Sequence, residues 1–445
     1  MKIILVSADD GTPSFGAYAI RNALDRHGYQ NEVFSYFNHL SSEQIYTFTD
    51  RNINKGDVVG ISTTFANDQK SIENFNLLYD LCSAKQITVV IGGINYNTVL
   101  KNDVDFRGDY AEDTFITWLN NKFGKIKRLP FSIETTDFEW KAKDSFSEGL
   151  CLPLELSRHC IFNCKFCSFP DRGKRGQNRS NYYVRQELDS ANKLFGTKHF
   201  QILCSTFNES SSKLFNFFNA IEGTDYQFSA YIRLDLLIKQ KEFWPLFRKH
   251  ITHMMFGIET FNHKSGQAIG KGTEPTKVKQ WLKEIRNYFD INTLNSGFIL
   301  GLPFSTEKEG QETLEYLLGA QVLDSWRFFP LSIGDRGSRI NRSDFSDSIE
   351  NYGYTRQSTN RFKNSWVRND GLTYEHCIDQ AMELDSESSR IPSGYTAIFL
   401  QRRYSLEQMK NLNITGTPYN GYKIHPKIEE AFKEAAKDYI TRKYV

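Results

Sequence analysis

Short apolar runs alternate with helical patterns along residues 1–123. "KIILVS" at 2–7 reads as a strand. "SFGAYAIRNALDRHGY" at 14–29 sets Phe15, Ala19, Ile20, Ala23 and Leu24 at helical spacing and stops at Gly28. "QNEVFSYF" is a second strand. "DVVGISTTF" at 57–65 is a third, apolar on both alternating faces like a parallel strand covered on each side. A helix, "QKSIENFNLLYDLCSAK", a fourth strand, "ITVVIGG" at 87–93, a short fifth, "VDFRGDY", and the helix "AEDTFITWLNNKF" complete the series. This order predicts an α/β domain with a parallel, doubly wound, Rossmann-like sheet, whose ligands lie beyond the carboxyl ends of the strands.

Residues 124–150 lose the rhythm and read as a polar linker. A second series then spans 151–335. Strand patterns fall at 152–157, 199–205, 227–233, 253–259, 293–301 and 326–333, separated by helical patterns such as "KVKQWLKEIRNYF". Six strands with intervening helices predict a partial (β/α)6 barrel, short of the eight units of a closed one. Residues 336–445 are irregular and polar until a closing amphipathic helix, "PKIEEAFKEAAKDYITRKY", and read as a substrate-side appendage packed on the barrel.

Composition narrows the function classes. The chain has 445 residues, 39% of them hydrophobic, with 35 Phe and 22 Tyr, enough to fill two cores. A net charge of +2 gives no overall field for nucleic acid. "MKIILVS" is too short for a signal segment, and no run reaches the roughly 18 apolar residues of a membrane span. The expectation is a cytoplasmic protein, in which cysteines are metal ligands or free thiols rather than disulfides. Cys82, Cys151, Cys204 and Cys377 are scattered, as small buried residues are.

The remaining three cysteines sit in "LSRHCIFNCKFCSFP": Cys160, Cys164 and Cys167, with Phe166 just before the last. Zinc sites want four ligands, commonly two Cys-x2-Cys pairs, and this stretch has one such pair. His159 adjoins Cys160 and is badly placed to reach the same tetrahedron. A [4Fe–4S] cluster is also bound by thiolates, normally four. Three would leave one iron open to substrate or cofactor.

On these residues the chain resembles the radical S-adenosylmethionine (SAM) superfamily, whose three-cysteine loop follows the first barrel strand. The resemblance implies that the open iron chelates the methionyl amine and carboxylate of SAM, and that reduction cleaves SAM to methionine and a 5′-deoxyadenosyl radical. "GFILGLP" at 297–303 resembles the family's Gly-x-Ile-x-Gly strand, so Gly297, Ile299 and Gly301 are expected beside the adenine. By the same resemblance, Glu259 in "FGIET" would meet the ribose or methionyl group of SAM, and Arg233 in "YIRLD" would neutralise its carboxylate. "ILCSTFNES" stands where many members have Gly-Gly-Glu. It resembles the variant in the cobalamin-dependent branch, with Ser205, Thr206 and Asn208 as candidate contacts.

A doubly wound domain ahead of such a barrel also resembles the cobalamin-binding (B12-binding-type) branch of the superfamily. Thr63 and Thr64 in "TTF", and Gly92 and Gly93 in "GGIN", end the third and fourth strands, where small residues let backbone approach a corrin ring or its nucleotide tail. The first loop, "SADDGTPSFGAY", lacks the Asp-x-His-x-x-Gly of many cobalamin domains, so no histidine is expected on cobalt. His39, after the second strand, is the histidine to check. Methylthiotransferases are set aside, because they carry three further cysteines where residues 1–150 hold Cys82 alone.

"PDRGKRGQNR" at 170–179, with Arg172, Lys174, Arg175 and Arg179, reads either as a solvated loop or as a dock for a flavodoxin- or ferredoxin-type electron donor or an anionic substrate. It lacks the interleaved aromatics of a single-strand nucleic-acid platform. The resulting expectation is an enzyme with a [4Fe–4S] cluster, SAM and cobalamin, methylating an unactivated carbon or phosphorus centre of a small-molecule or peptide substrate. A non-methylating radical SAM enzyme and a non-catalytic iron–sulfur or corrin sensor are the alternatives.

Overall fold

Strand β1, Ile3–Ser7, is buried along its whole length, as a central strand covered on both faces must be. It lies between β2, Asn31–Phe34, and β3, Val58–Ser62, both parallel to it. β4, Thr88–Gly92, and β5, Phe106–Gly108, extend the sheet, giving the order β2-β1-β3-β4-β5. The reversal of strand order beside β1 is the switch point of a doubly wound fold. The computed structural model describes all residues except 10–11, 65, 67, 94–98, 101–103, 109–110, 125–130, 168–176, 273, 335–342, 360–364, 389–425 and 445.

Two units make up the chain. One comprises Met1–Leu154, Tyr182–Lys198 and Glu429–Val445, and the other Glu155–Asn181 and His199–Ile428. In the first, helices Phe15–Arg26, Ser42–Asn52 and Gln69–Ala84 bury apolar stripes on the sheet. Ser41 opens the second of these with a capping box to Gln44, and Asp68 caps the third. Asn74 fixes the turn after β2 by donating to the carbonyls of Phe37, Asn38 and Leu40 at 3.0–3.3 Å.

Two segments differ from their sequence expectation. The supposed polar linker buries Ile133, Phe138, Trp140 and Phe146. Trp140 and Phe146 pack against Tyr18 with centroids 5.1 and 5.4 Å away. Arg21, fully buried, donates twice to Asp144 at 2.8–2.9 Å. Its partners therefore belong to the first unit's core. The closing helix, Pro426–Lys443, was expected on the barrel, yet its described end packs on the first unit. Tyr439 lies 5.1 Å from Tyr36, its hydroxyl accepts the Ser35 N–H at 3.2 Å, and the Tyr444 hydroxyl donates to the Ser35 carbonyl at 2.9 Å.

β6, Leu152–Leu154, is a strand of the second sheet; β7, Ser157–Arg158, and β8, Gln177–Asn178, form a separate antiparallel pair. Five of the second sheet's six strands lie in the second unit: β9, His199–Ile202; β10, Gln227–Ile232; β11, Ile251–Glu259; β12, Thr293–Leu300; and β13, Ser325–Pro330. They pair in sequence order, all parallel, with helices between them. This is the expected partial barrel. Alternation on β12 leaves Gly297 and Ile299 half-buried on one face, with Ser296, Phe298 and Leu300 buried on the other. A hairpin follows, β14, Tyr354–Gln357, and β15, Ser365–Arg368. Among the described residues no helix is long and apolar enough to cross a membrane.

Candidate active site

The cysteine loop leaves β7 through His159, whose backbone is left-handed at φ 71°. At its base β7 pairs with β8, Ser157 opposite Asn178 and Arg158 opposite Gln177. Further along, the Lys165 N–H donates to the Ile269 carbonyl at 3.0 Å, and the Cys167 N–H turns back to the Cys164 carbonyl at 3.1 Å. Gly270 lies so near that a Cβ there would meet Cys164 Cα at 3.8 Å. Lys165 pairs with Asp344 at 2.6 Å. Cys160 and Cys164 are buried and Cys167 is half-buried.

Among the described residues no three Cys, His, Asp or Glu side chains converge as ligands of one metal ion. Three thiols on one short, tethered loop fit a polynuclear cluster, where each thiolate takes a different iron.

The residues expected around SAM are set at the carboxyl ends of β9 to β12. Arg233 caps β10. Its guanidinium lies 3.8 Å from the centroid of Phe162, in the cysteine loop, and grips Asp235 with two bonds of 2.9 and 3.0 Å. Asn208, fully buried, exchanges bonds with the Arg233 backbone at 2.9 and 3.0 Å and with Gln240 at 3.1 and 3.2 Å. It therefore braces two turns. Ser205 is half-buried at the turn after β9, while Thr206 turns its hydroxyl to Cys160 Sγ at 3.8 Å.

Glu259 ends β11 in left-handed backbone, φ 70°, and pairs with Lys271 at 3.1 Å. Lys271 also donates to the Gly257 carbonyl and lies 5.9 Å from the ring centroid of half-buried Phe166. A Cβ at Gly257 would come 2.7 Å from Lys271 Nζ, so the glycine makes room for this cation.

On β12 the two glycines differ. A Cβ at Gly297 would meet the partly exposed Phe329 ring at 3.1 Å, while one at Gly301, where φ is 77°, would meet Trp366 at 2.5 Å and Cys377 Sγ at 2.9 Å. Gly301 thus makes room for the β14–β15 hairpin, whose Tyr354 also donates to its carbonyl at 2.6 Å. Glu259, Ile299 and Gly301 line a shallow, open cleft together with Thr260, Ser305 and Thr306.

In the first unit, Thr63 is fully buried and bonds the Gly92 carbonyl through its N–H at 2.8 Å and its hydroxyl at 3.0 Å. At Gly93, φ 100°, a Cβ would press on Thr64 N and Oγ1 at 3.0 Å. Gly92, Gly93 and Thr63 therefore lock two strand ends together; Thr63 is buried, while Thr64 and the two glycines are half-buried. Asp9, fully buried after β1, accepts from the Tyr36 N–H at 2.7 Å, from the Ser14 N–H and from Ser7 at 3.1 Å; burial pushes its carboxyl up to about 6. Burial shifts His39 the other way, toward the neutral ring, with Lys70 adding to the effect.

Residues 154–317 match the Radical SAM superfamily. This stretch is a radical SAM domain. Solved structures extend the likeness to the fold of cobalamin-dependent members. The radical SAM methyltransferase TsrM from Kitasatospora setae, with cobalamin and a [4Fe–4S] cluster bound, aligns with a TM-score of 0.64 at 12% identity over 98% of this chain and 99% of its own. TsrM with tryptophan and a SAM analogue aligns with 0.63 at 13% identity, covering 81% of this chain and 79% of that one. The cobalamin-dependent SAM radical enzyme OxsB, with aqua-cobalamin, aligns with 0.57 at 15% identity over 88% of this chain and 62% of its own. No curated protein matches the sequence.

Within the radical SAM domain, sequence reasoning missed Lys271 and Lys213. Lys271 stands in "IGKG", where flanking glycines were the available signal. Lys213, in the helix Ser211–Ala220 and 5% exposed, bonds Ser157, the Thr206 carbonyl and Glu209 at 2.7–3.2 Å. Of the basic run, Arg172, Lys174 and Arg175 lie outside the described residues. Arg179 is buried and donates to the Glu155 carbonyl at 3.0 Å, so it pins the loop base rather than facing a partner.

Proposed function

We propose that the protein is a cobalamin-dependent radical SAM methyltransferase acting on an unactivated carbon or phosphorus centre of a small-molecule or peptide substrate. The observation that carries this reading is the tethered Cys160–Cys164–Cys167 loop of a radical SAM domain, in a chain whose fold follows that of TsrM nearly end to end.

Cys160, Cys164 and Cys167 are the thiolates for a [4Fe–4S] cluster, with one iron left to SAM. When bound, the cluster supplies the electron that cleaves SAM, and cobalamin carries the methyl group. The protein's own work is placement. Gly297 and Ile299 offer an apolar edge to adenine. Glu259, held by Lys271, faces the cleft with a fixed carboxylate. Phe166, in the cysteine loop, sets its ring near Lys271 of that pair. Thr64, beside the locked Thr63–Gly92–Gly93 ends, stands at the rim for cobalamin. A flavodoxin- or ferredoxin-type protein is the electron donor.

Anaerobic reconstitution with iron and sulfide, followed by absorption spectra with and without cobalamin, tests the cofactor set. A product heavier by 14 daltons, with S-adenosylhomocysteine and 5′-deoxyadenosine both formed, tests methylation. The likeness to OxsB, named only as a cobalamin-dependent SAM radical enzyme, keeps a non-methylating reaction as the second reading. That reading gains if 5′-deoxyadenosine forms with substrate and S-adenosylhomocysteine does not.

A further inference from the structure

Thr206 follows the first turn after β9, where the family resemblance made it a SAM contact. Its geometry points elsewhere. The side chain is 6% exposed, and its hydroxyl faces the sulfur of Cys160, itself 8% exposed, at 3.8 Å. A buried hydroxyl needs a partner, and sulfur, being large, accepts at longer range than oxygen. The next residue is tied as well, the Phe207 N–H donating to the Tyr231 carbonyl at 2.9 Å.

The backbone at Thr206 is fixed by a charge. Lys213 Nζ donates to the Thr206 carbonyl at 3.1 Å and to Ser157 Oγ at 2.7 Å, while Glu209 neutralises it at 3.2 Å. Ser157 begins the strand that leads into the cysteine loop. One buried ammonium thus ties the turn that bears Thr206 to the strand that leads to Cys160. A merely space-filling threonine needs no such brace.

We propose that Thr206 is a positioning residue that donates a hydrogen bond to the Cys160 thiolate and raises the reduction potential of the cluster. The inference rests on the reading of Cys160 as a cluster ligand. Reduction adds one electron, whose charge spreads onto the thiolate sulfurs. A donor at the sulfur stabilises the reduced state more than the oxidised one. Losing it makes the cluster harder to reduce.

The experiment is a mediated redox titration of the reconstituted full chain without SAM, with dithionite as reductant and the reduced cluster counted by electron paramagnetic resonance. Thr206→Val keeps the shape and removes the donor. Thr206→Ser keeps the donor and tests rescue. Iron and sulfide are counted on every sample. At a fixed potential, Thr206→Val should show a reduced-to-oxidised ratio about three- to tenfold lower than wild type, the effect of losing about one net hydrogen bond. A tenfold change is about 59 mV for one electron. Thr206→Ser should stay near wild type. Equal iron and sulfide with unchanged potential in Thr206→Val overturns the inference and leaves the cluster reading standing. Failure of wild type to take up iron and sulfide overturns both.

Discussion

The Arg233 guanidinium lies over Phe162, 3.8 Å from the ring centroid, while it also grips Asp235. A strand-end arginine in this position was expected to meet the carboxylate of SAM. In this structure it links the end of β10 to the cysteine loop through Phe162.

Arg233→Met should therefore act on the loop first. A cation–π contact of this kind stabilises by about 1 kcal/mol. Its loss should lower iron uptake on reconstitution by a few-fold while SAM affinity per intact cluster changes little. Iron analysis and SAM titration on the same samples check this. Full iron content with a SAM affinity weakened tenfold or more would return Arg233 to the carboxylate role.

The two glycines of "GFILGLP" should respond differently. Gly301→Ala forces a side chain into left-handed backbone and against Trp366 and Cys377, which should cost about 2–4 kcal/mol from overpacking and backbone strain together. Gly297→Ala meets only the partly exposed edge of Phe329, so the fold should hold. Thermal unfolding separates the pair. Gly297→Val, which fills the proposed adenine edge, should suppress 5′-deoxyadenosine and S-adenosylhomocysteine together without a matching loss of stability.

The contrast shows what a sequence can carry. The doubly wound sheet was legible because β1 and β3 are unbroken apolar runs, and the partial barrel because its strands recur with helices between them. The linker was misjudged because Ile133, Phe138, Trp140 and Phe146 follow no period, though each is buried. The closing helix was recognised, but an amphipathic pattern does not name the surface it covers. Tyr439 and Tyr444 find theirs more than 400 positions away, at Ser35. At the site, the cysteine spacing was local and readable. The Thr206–Cys160 approach spans 46 positions and depends on how two strands end. Lys271 had only its flanking glycines as a signal, and its pairing with Glu259 depends on the left-handed residue that ends β11.

Asp9 gives the first unit a pH signature. Burial raises its carboxyl from 3.8 to about 6 in the folded chain, against the lowering effect of the Tyr36 and Ser14 N–H groups. Between those values the folded state keeps a proton that the unfolded chain has released. The contribution to stability is therefore greatest near pH 4 and below, falls as pH rises to 6, and is level beyond. Relative to Asp9→Asn, which does not titrate, wild type should lose about 3 kcal/mol across that window. Unfolding curves of the two proteins from pH 4 to 7 measure it; parallel curves would show that Asp9 is not the buried titrating group.

The central claim is that Cys160, Cys164 and Cys167 hold a cluster that cleaves SAM. It is tested most directly by counting 5′-deoxyadenosine after anaerobic reconstitution, reduction with dithionite and addition of SAM. Wild type and Cys82→Ala should form it and carry about four iron and four sulfide per chain, while Cys160→Ala, Cys164→Ala and Cys167→Ala should form none. A protein that holds stoichiometric zinc without sulfide, and yields no 5′-deoxyadenosine, would contradict the account.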